Sequence, residues 1–142
     1  MSLIENFLNN LIAGVIASIL TWVFVRYSRQ MRQRRRFADY TGLYETFLND
    51  ERIADEIIEL SWVGENLLFA QSNSADGSWE SYITMDEVVP NVGSGFFQYK
   101  SRTDYGVHQI QRNLEKDTIF VFAHNPALGS PPVAYIWKKV HR

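Results

Sequence analysis

An uncharged stretch of twenty residues, from Asn6 to Val25, constrains the fold of this chain more than any other feature. A transmembrane helix needs about 20 apolar residues, because each residue adds about 1.5 Å towards crossing a hydrocarbon core about 30 Å thick. Only Glu5 is charged before the stretch, whereas a basic segment without acidic residues follows it: Arg26, Arg29, Arg32, Arg34, Arg35 and Arg36. Arginines next to a span stay on its cytoplasmic side. We therefore predict a single-pass anchor in the inner (cytoplasmic) membrane, with the amino terminus outside, the arginines at the membrane surface and the remaining chain in the cytoplasm.

Three other interpretations of the stretch are less consistent with its flanks. A cleavable secretory signal carries its positive charges before the apolar region, which is the reverse of the order here. An amphipathic helix at the membrane surface would carry charges along one face. A buried helix of a soluble protein would tolerate the polar Asn9, Asn10, Ser18 and Thr21, but the arginine block argues against burial.

Small residues recur within the predicted span at a spacing of four. Ala13 and Ala17 form one such pair, and Gly14 and Ser18 form another. This spacing allows two helix backbones to approach closely in lipid, although small residues are also common in spans that stay alone. We therefore expect these residues to pack one helix against another and the protein to be a homo-oligomer.

Charge is divided unevenly along the chain. Residues 1–36 carry six arginines against one glutamate, whereas residues 37–142 carry eight Lys/Arg and fifteen Asp/Glu. The basic segment suits an anionic lipid surface, and the acidic remainder argues against binding to DNA or RNA polymers. No cysteine is present, which excludes disulfides and thiolate chemistry. We predict two parts: residues 1–38, the transmembrane helix and its basic stalk, and residues 39–142, one cytoplasmic domain.

After Gly42 the apolar residues follow a period of two. Segments rich in aromatic and β-branched residues alternate with turn residues such as Gly64-Glu65-Asn66 and Asp76-Gly77. The predicted strands are residues 42–47, 56–62, 67–72, 79–86, 96–101, 106–113, 118–125 and 133–140. Residues 52–57 form, in an alternative interpretation, a helical turn between the first two strands.

Eight consecutive strands without intervening helices favour an antiparallel meander. Closing the meander into a barrel removes its exposed edges, and eight strands enclose space for side chains or one small ligand. Gly42-x-Tyr44 on the first strand and the basic Lys138 and Lys139 on the last are similar to the pattern of lipocalin-like barrels. The predicted fold is therefore mainly β, an amino-terminal helix followed by an eight-stranded antiparallel lipocalin-like β-barrel, with a small β-sandwich as the main alternative.

Motifs for catalysis or metal binding are missing from the sequence. It has no nucleophile motif and no phosphate-binding glycine loop, and His108, His124 and His141 lack the HExxH or HxH spacing of metal ligands. The acidic pairs Asp55-Glu56 and Asp86-Glu87 would point to opposite faces of a strand. We therefore predict no enzymatic activity, no metal and no cofactor.

A ligand-binding site has more support, because aromatic and polar residues recur on several predicted strands. Aromatic rings stack on nucleobases at about 1–3 kcal/mol per base, and arginines contact phosphates. Alternate side chains in residues 107–112 point to opposite faces of the strand. Each of the two sets includes polar side chains, so polar groups face the barrel interior whichever set points inward. The candidate ligand-binding residues are Trp79, Tyr99, Arg102, His108, Arg112, Tyr135 and Trp137. The alternative explanation is that aromatic residues simply fill a small barrel.

A short membrane anchor followed by a cytoplasmic eight-stranded barrel resembles the transmembrane β-barrel effectors of bacterial cyclic-oligonucleotide (CBASS-type) antiphage defence. The resemblance is one of architecture over the whole chain. It implies a barrel that senses a cyclic dinucleotide or oligonucleotide second messenger, after which the protein oligomerises, disrupts the inner membrane and kills the infected cell (abortive infection). The chain departs from the family in having room for one membrane helix, where members often have two, and in the acidic charge of its domain.

The alternative function is a membrane-tethered lipocalin-like module that scaffolds a partner protein or binds an apolar ligand. An interior lined by isoleucine, leucine and phenylalanine alone would favour this module. Polar groups facing the interior would instead favour the second-messenger sensor. The polarity of the barrel interior is therefore the observation that separates the two functions.

Overall fold

The computed structural model describes residues 2–74, 77–101, 103–129 and 131–141. The chain divides into two compact units, with the boundary between Arg36 and Phe37. The first unit is helical, and the second consists of eight strands with one short 3₁₀ turn, Pro126–Leu128. The elements are α1 (Leu3–Ala38), β1 (Gly42–Leu48), β2 (Glu51–Gly64), β3 (Leu67–Ser72), β4 (Trp79–Met85), β5 (Val92–Tyr99), β6 (Tyr105–Asn113), β7 (Thr118–His124) and β8 (Val133–Lys139).

The helix α1 is continuous over 36 residues, as predicted. A reciprocal cap starts it: the Ser2 backbone N–H donates to Glu5 Oε2 (2.8 Å), and the Glu5 N–H donates to the Ser2 hydroxyl (3.2 Å). Within the described part of the chain it is the one helix long and apolar enough to cross a membrane, because it contains an 18-residue window with a mean hydropathy of 1.9. Length and composition therefore agree with a single-pass anchor, and a signal sequence near the amino terminus would meet the same criterion.

Two polar residues of the apolar stretch form hydrogen bonds within α1. The hydroxyl of Ser18 donates to the Gly14 carbonyl, and the hydroxyl of Thr21 donates to the Ala17 carbonyl, each at 2.8 Å. A lipid environment offers no water, so polar groups there must be satisfied by the protein itself. These two hydroxyls are thus compatible with hydrocarbon, and all four of the small residues predicted to pack between helices are exposed on α1.

The eight strands form one closed barrel in chain order, with every neighbouring pair antiparallel. β8 returns to pair with β1, aligning Trp137 with Thr46 and Lys139 with Tyr44. The predicted mainly-β fold with an eight-stranded barrel is confirmed, and the sandwich alternative is wrong. Short connections between consecutive strands favour a meander, and the pairing of β8 with β1 closes it into a barrel.

β2 begins earlier than the sequence predicted, directly after a two-residue turn. Asn49 and Asp50 have φ values of 51° and 66°, left-handed conformations that Asn and Asp tolerate and tight hairpins require. Asp55 also has a positive φ, 60°, close to where the β1–β2 register shifts. Residues 52–57 are therefore strand with a bulge, and the helical-turn interpretation is wrong.

β5 also begins earlier than predicted, at Val92, and two glycines lie within its first half. Gly93 and Gly95 pair with Met85 and Ile83 of β4. A Cβ atom at position 95 would collide with the backbone carbonyl oxygen of Tyr82. Glycine at this position therefore allows β4 and β5 to approach closely, a role that glycine commonly has inside strands.

We call the end of the barrel at which β1 begins the base. Residues that precede β1 fill this end. Phe37 and Tyr40 are buried in the core cluster. The Tyr40 hydroxyl donates to Asn91 Oδ1 (2.9 Å), and the Tyr44 hydroxyl donates to the Tyr40 carbonyl (2.7 Å). The guanidinium of Arg112 lies 4.9 Å from the centre of the Tyr40 ring. The base is thus packed and hydrogen-bonded.

The substitution Gly95→Ala is expected to destabilise the barrel by about 1–3 kcal/mol, because overpacking forces the backbone of β4 to move. The measurement is urea unfolding of the full chain in detergent, followed by tryptophan fluorescence. Gly77→Ala is the matched control, since its added Cβ would lie 3.6 Å from the Tyr99 ring, an ordinary contact. Equal stability of the two variants would contradict the close approach at Gly95.

Candidate functional site

A cavity of about 120 Å³ lies inside the barrel, in the half that faces the rim, the end opposite the base. It is somewhat smaller than the apolar cavity of about 150 Å³ that holds a benzene molecule in another protein, so it can take at most one ring-sized group. Seven of the eight strands, all except β3, contribute residues to its lining. The lining residues are Thr46, Ile53, Glu56, Trp79, Phe97, Tyr99, His108, Val121, Ala123, Tyr135 and Trp137.

Aromatic rings form most of the cavity wall. Trp79 and Trp137 are nearly parallel, with ring centres 6.1 Å apart and planes inclined by 22°. Phe97 packs against Trp79 at 5.9 Å and against Tyr99 at 5.7 Å. These residues alternate with outward-facing ones along β4, β5 and β8, which is how the strand period brings them into one cavity. The wall therefore offers several ring faces to a flat or cationic group.

His108 lies among these rings, and its side chain is almost completely buried. The imidazole contacts the Trp79, Phe97 and Trp137 rings at centre distances of 6.0, 5.6 and 6.2 Å. Its Nε2 and the Ser81 hydroxyl share a hydrogen bond of 2.8 Å. Burial lowers the pKa of His108 to about 4, because a charged imidazole would lose its hydration. The ring is therefore neutral at pH 7.

Glu56 is the only carboxylate side chain among the described lining residues. Its Oε1 accepts from the Ser72 hydroxyl (3.3 Å) and from Trp79 Nε1 (3.4 Å), whereas Oε2 accepts no hydrogen bond from the described residues. Burial, and then the nearby Glu56 carboxylate, raise the pKa of the Tyr135 hydroxyl. Because no Lys or Arg is among the described lining residues, the cavity favours a hydrogen-bond donor or a cation over an anion.

The hydroxyl of Thr46 differs from the other buried polar groups of the barrel in its hydrogen bonding. It lines the cavity, its residue is 2 % exposed, and its Oγ1 has no hydrogen-bond partner among the described residues. A buried polar group without a partner costs about 1–3 kcal/mol, and native proteins rarely leave one unsatisfied. The unpaired oxygen is itself covered by neighbouring atoms, so a polar group of a bound molecule would contact it only after a small side-chain movement.

The structure brings together five of the seven candidate ligand-binding residues. Trp79, Tyr99, His108, Tyr135 and Trp137 all line the cavity. Arg102 lies outside the described residues, and Arg112 does not line the cavity.

Arg112 faces the interior on the same side of β6 as His108, but at the base. Four residues of strand separate the two, which is about 13 Å. Its guanidinium lies 3.3 Å from an oxygen of Asp117 and 3.7 Å from one of Asp39, and its side chain is 8 % exposed. Arg112 is thus paired with carboxylates at the base and lies away from the cavity.

Six lining residues were not predicted by the sequence analysis: Thr46, Ile53, Glu56, Phe97, Val121 and Ala123. The alternation along β1, from the inward Tyr44 to Thr46, is a signal that could have identified the threonine. Glu56 had no such signal, because the bulge near Asp55 changes the phase of the alternation. Among the described residues, no group of three His, Asp or Glu could hold a metal ion.

The neutral, buried state of His108 predicts a loss of stability in mild acid. Its folded-state pKa of about 4 lies below the value of about 6.5 in an unfolded chain. The stabilisation is therefore present above about pH 6.5 and disappears as the pH falls towards 4, by about 3 kcal/mol in total. The free energy of unfolding, measured between pH 4 and pH 7, should depend less on pH in His108→Gln. The control His124→Gln should retain the wild-type dependence, and equal slopes in all three proteins would contradict the assignment.

Comparisons with known proteins identify no relative. No protein-family model matches the sequence, and neither a functionally characterised protein nor a solved structure is significantly similar to it. The likeness to antiphage effectors thus extends to architecture alone, an apolar amino-terminal helix and a closed eight-stranded antiparallel barrel. Function must therefore be inferred from the chemistry of the cavity.

Proposed function

We propose that the chain is a receptor anchored in the inner membrane by α1, whose cytoplasmic barrel binds one base of a cyclic dinucleotide or oligonucleotide. Ligand binding then drives oligomerisation and disruption of the membrane, the abortive-infection response that the architectural resemblance implies. The observation that carries the binding proposal is the unpaired Thr46 hydroxyl in an aromatic cavity that holds a single carboxylate. The absence of recognisable catalytic motifs in the sequence is consistent with a binding function.

A nucleobase matches the chemistry of the cavity. Proteins bind unstacked bases by stacking them on aromatic side chains and by forming hydrogen bonds to their edges. The near-parallel Trp79 and Trp137 supply ring faces, and the free Oε2 of Glu56 would accept from a base N–H or amino group. The Thr46 hydroxyl would donate to a ring nitrogen or a carbonyl oxygen. Three kinds of contact thus converge on one ring-sized volume.

The size and charge of the cavity limit how much of the ligand enters it. A volume of about 120 Å³ is below the 300–1,000 Å³ or so of typical small-molecule pockets. The carboxylate of Glu56 would repel phosphate groups, and no cation among the described lining residues offsets it. One base would therefore enter from the rim, while the phosphates remain in solvent.

The composition of α1 supports the membrane part of the proposal. Trp22 and Arg26 are in contact, the guanidinium lying 5.3 Å from the ring centre, and Tyr27 follows directly. Tryptophan, tyrosine and arginine are the residues that anchor a helix at the membrane–water interface. A ligand can drive assembly of such anchored chains only by binding the assembled state more tightly than the separate chain.

A second function, a tethered module that binds an apolar ligand or scaffolds a partner, is favoured by one observation. The cavity wall is mostly aromatic and aliphatic, and its volume suits a small apolar ring as well as a base. The two functions differ in what they require of Thr46, because an apolar ligand would leave its hydroxyl unpaired.

Thr46→Val separates the two functions, because valine has nearly the shape of threonine without its hydroxyl. Stability should be unchanged or higher, since an unsatisfied buried group is removed. Affinity for a cyclic dinucleotide should fall about 2- to 10-fold, as for the loss of one hydrogen bond. Tryptophan fluorescence of the full chain in detergent, titrated with a panel of cyclic dinucleotides, measures this. Thr84→Val, on the exposed face of β4, is the control and should bind as the wild type does. Unchanged affinity of Thr46→Val, or binding of apolar probes only, would favour the second function.

Membrane disruption is tested with the full chain reconstituted in dye-loaded vesicles. Addition of a cyclic dinucleotide that binds should increase dye release, because ligand binding shifts the population towards the assembled state. The linear dinucleotide of the same bases is the matched control, and it should release less dye. Dye release that is absent, or equal with and without the cyclic ligand, would contradict the effector function while leaving the binding result intact.

A further inference from the structure

The outer face of β5, β6 and β7 differs from the rest of the barrel surface. These three adjacent strands lie entirely within the described part of the chain and expose nine side chains, none of which is charged. Five of the nine are apolar, and the other four are one serine and three glutamines. By contrast, β2 exposes six side chains, of which four are charged. We call the outer face of β5, β6 and β7 the neutral face.

The apolar side chains of the neutral face form two groups that meet diagonally across β6 and β7, since Phe122 is paired with Gln109, two residues from Val107. Phe96 pairs with Val107 across β5 and β6, and its ring centre lies 6.2 Å from that of Tyr105. Phe120 and Phe122 are neighbours on β7 and are 46 % and 52 % exposed. Exposed apolar side chains that occur singly need no explanation, whereas contiguous patches mark interaction surfaces. Enrichment in aromatic residues with depletion of charge is the composition of the centre of protein–protein interfaces.

The shape of the neutral face is a ridge between two clefts. Gln109 and Phe122 are paired across β6 and β7, and both line each of two surface clefts, of about 480 and 520 Å³. Phe120 lies in one cleft and Phe96 in the other. In a two-fold arrangement the same patch of both subunits meets itself, so the ridge of one copy would enter a cleft of the other.

We infer that the neutral face is the surface through which two copies of this chain associate. Charge favours a second copy as the occupant. Residues 37–142 carry fifteen acidic and eight basic side chains, so the repulsion between two domains is smallest when they meet through faces without charges. When two faces without charges are buried against each other, no unpaired charge has to be removed from water.

Other occupants fit the neutral face less well. An anionic lipid surface is recognised by Lys and Arg, and the neutral face exposes neither. A strongly basic partner would be attracted to the acidic side chains of β2 rather than to glutamines. This inference extends the proposed function by assigning the surface for oligomerisation, and its test uses no ligand, so it can fail while ligand binding succeeds.

The natural absence of cysteine from the chain allows a direct test. Gln109→Cys places one thiol on the ridge, and Ala54→Cys places one on the exposed, charged surface of β2 as the matched control. The full-length variants are reconstituted in lipid vesicles at low density and treated with a short bismaleimide. We expect covalent dimers from Gln109→Cys and few or none from Ala54→Cys. Equal cross-linking of the two, or no dimer from a reactive thiol at position 109, would overturn the inference.

A second measurement tests the energetics of the contact. Phe122→Lys introduces a positive charge into each copy at the proposed contact, where like charges cost several kcal/mol. Energy transfer between labelled copies in vesicles should show association at least about tenfold weaker than in the wild type. Ala54→Lys is the control and should associate as the wild type does. Tryptophan fluorescence confirms that the variants remain folded, and association of a folded Phe122→Lys at the wild-type level would also overturn the inference.

Discussion

Pairing of β8 with β1 is the interaction on which the remaining structure depends. It converts a meander, which would have two unpaired edges, into a closed barrel, and an unpaired edge would be open to pairing with other chains. Closure also determines which side chains share the interior. Thr46 lies opposite Trp137 across this pair, so the cavity exists in its present form only because the first and last strands meet.

The interior then separates into two regions of different chemistry. At the base, tyrosine hydroxyls and the guanidinium of Arg112 are matched with partners. Burial raises the pKa of Tyr44 far above its usual range, which keeps this core hydroxyl neutral and able to donate. At the rim, the cavity combines ring faces, one carboxylate and one hydroxyl without a partner. The base is thus packed and hydrogen-bonded, and the proposed binding function depends on the less completely satisfied rim.

The architecture could be predicted from the sequence because the patterns that indicate it are long or occur many times. Twenty uncharged residues followed by arginines predict the helix, and the period of two predicts the strands. The differences arise where backbone conformation overrides the pattern. Asn49 and Asp50 adopt left-handed backbone conformations, which form a tight hairpin turn. The bulge near Asp55 changes which side chains of β2 face the barrel interior.

The cavity was predictable only where the alternation was unbroken. Trp79, Tyr99, His108, Tyr135 and Trp137 were identified because aromatic and polar residues on regular strands stand out. Arg112 was grouped with His108 because alternation gives the side on which a residue lies, whereas its height along the barrel axis depends on the stagger of the strands. The lack of a hydrogen-bond partner for Thr46 is a three-dimensional property, which a one-dimensional pattern cannot show.

The position of β8 in the chain has a consequence for biosynthesis. Translation delivers β1 about ninety residues before Val133–Lys139, the segment that must complete the sheet. Until that segment leaves the ribosome, the nascent domain presents two free strand edges, the form of sheet most prone to mispairing. A frameshift or a ribosome that stalls before β8 is made would therefore leave an aggregation-prone intermediate, and a nascent chain with this topology requires protection by chaperones until β8 pairs with β1.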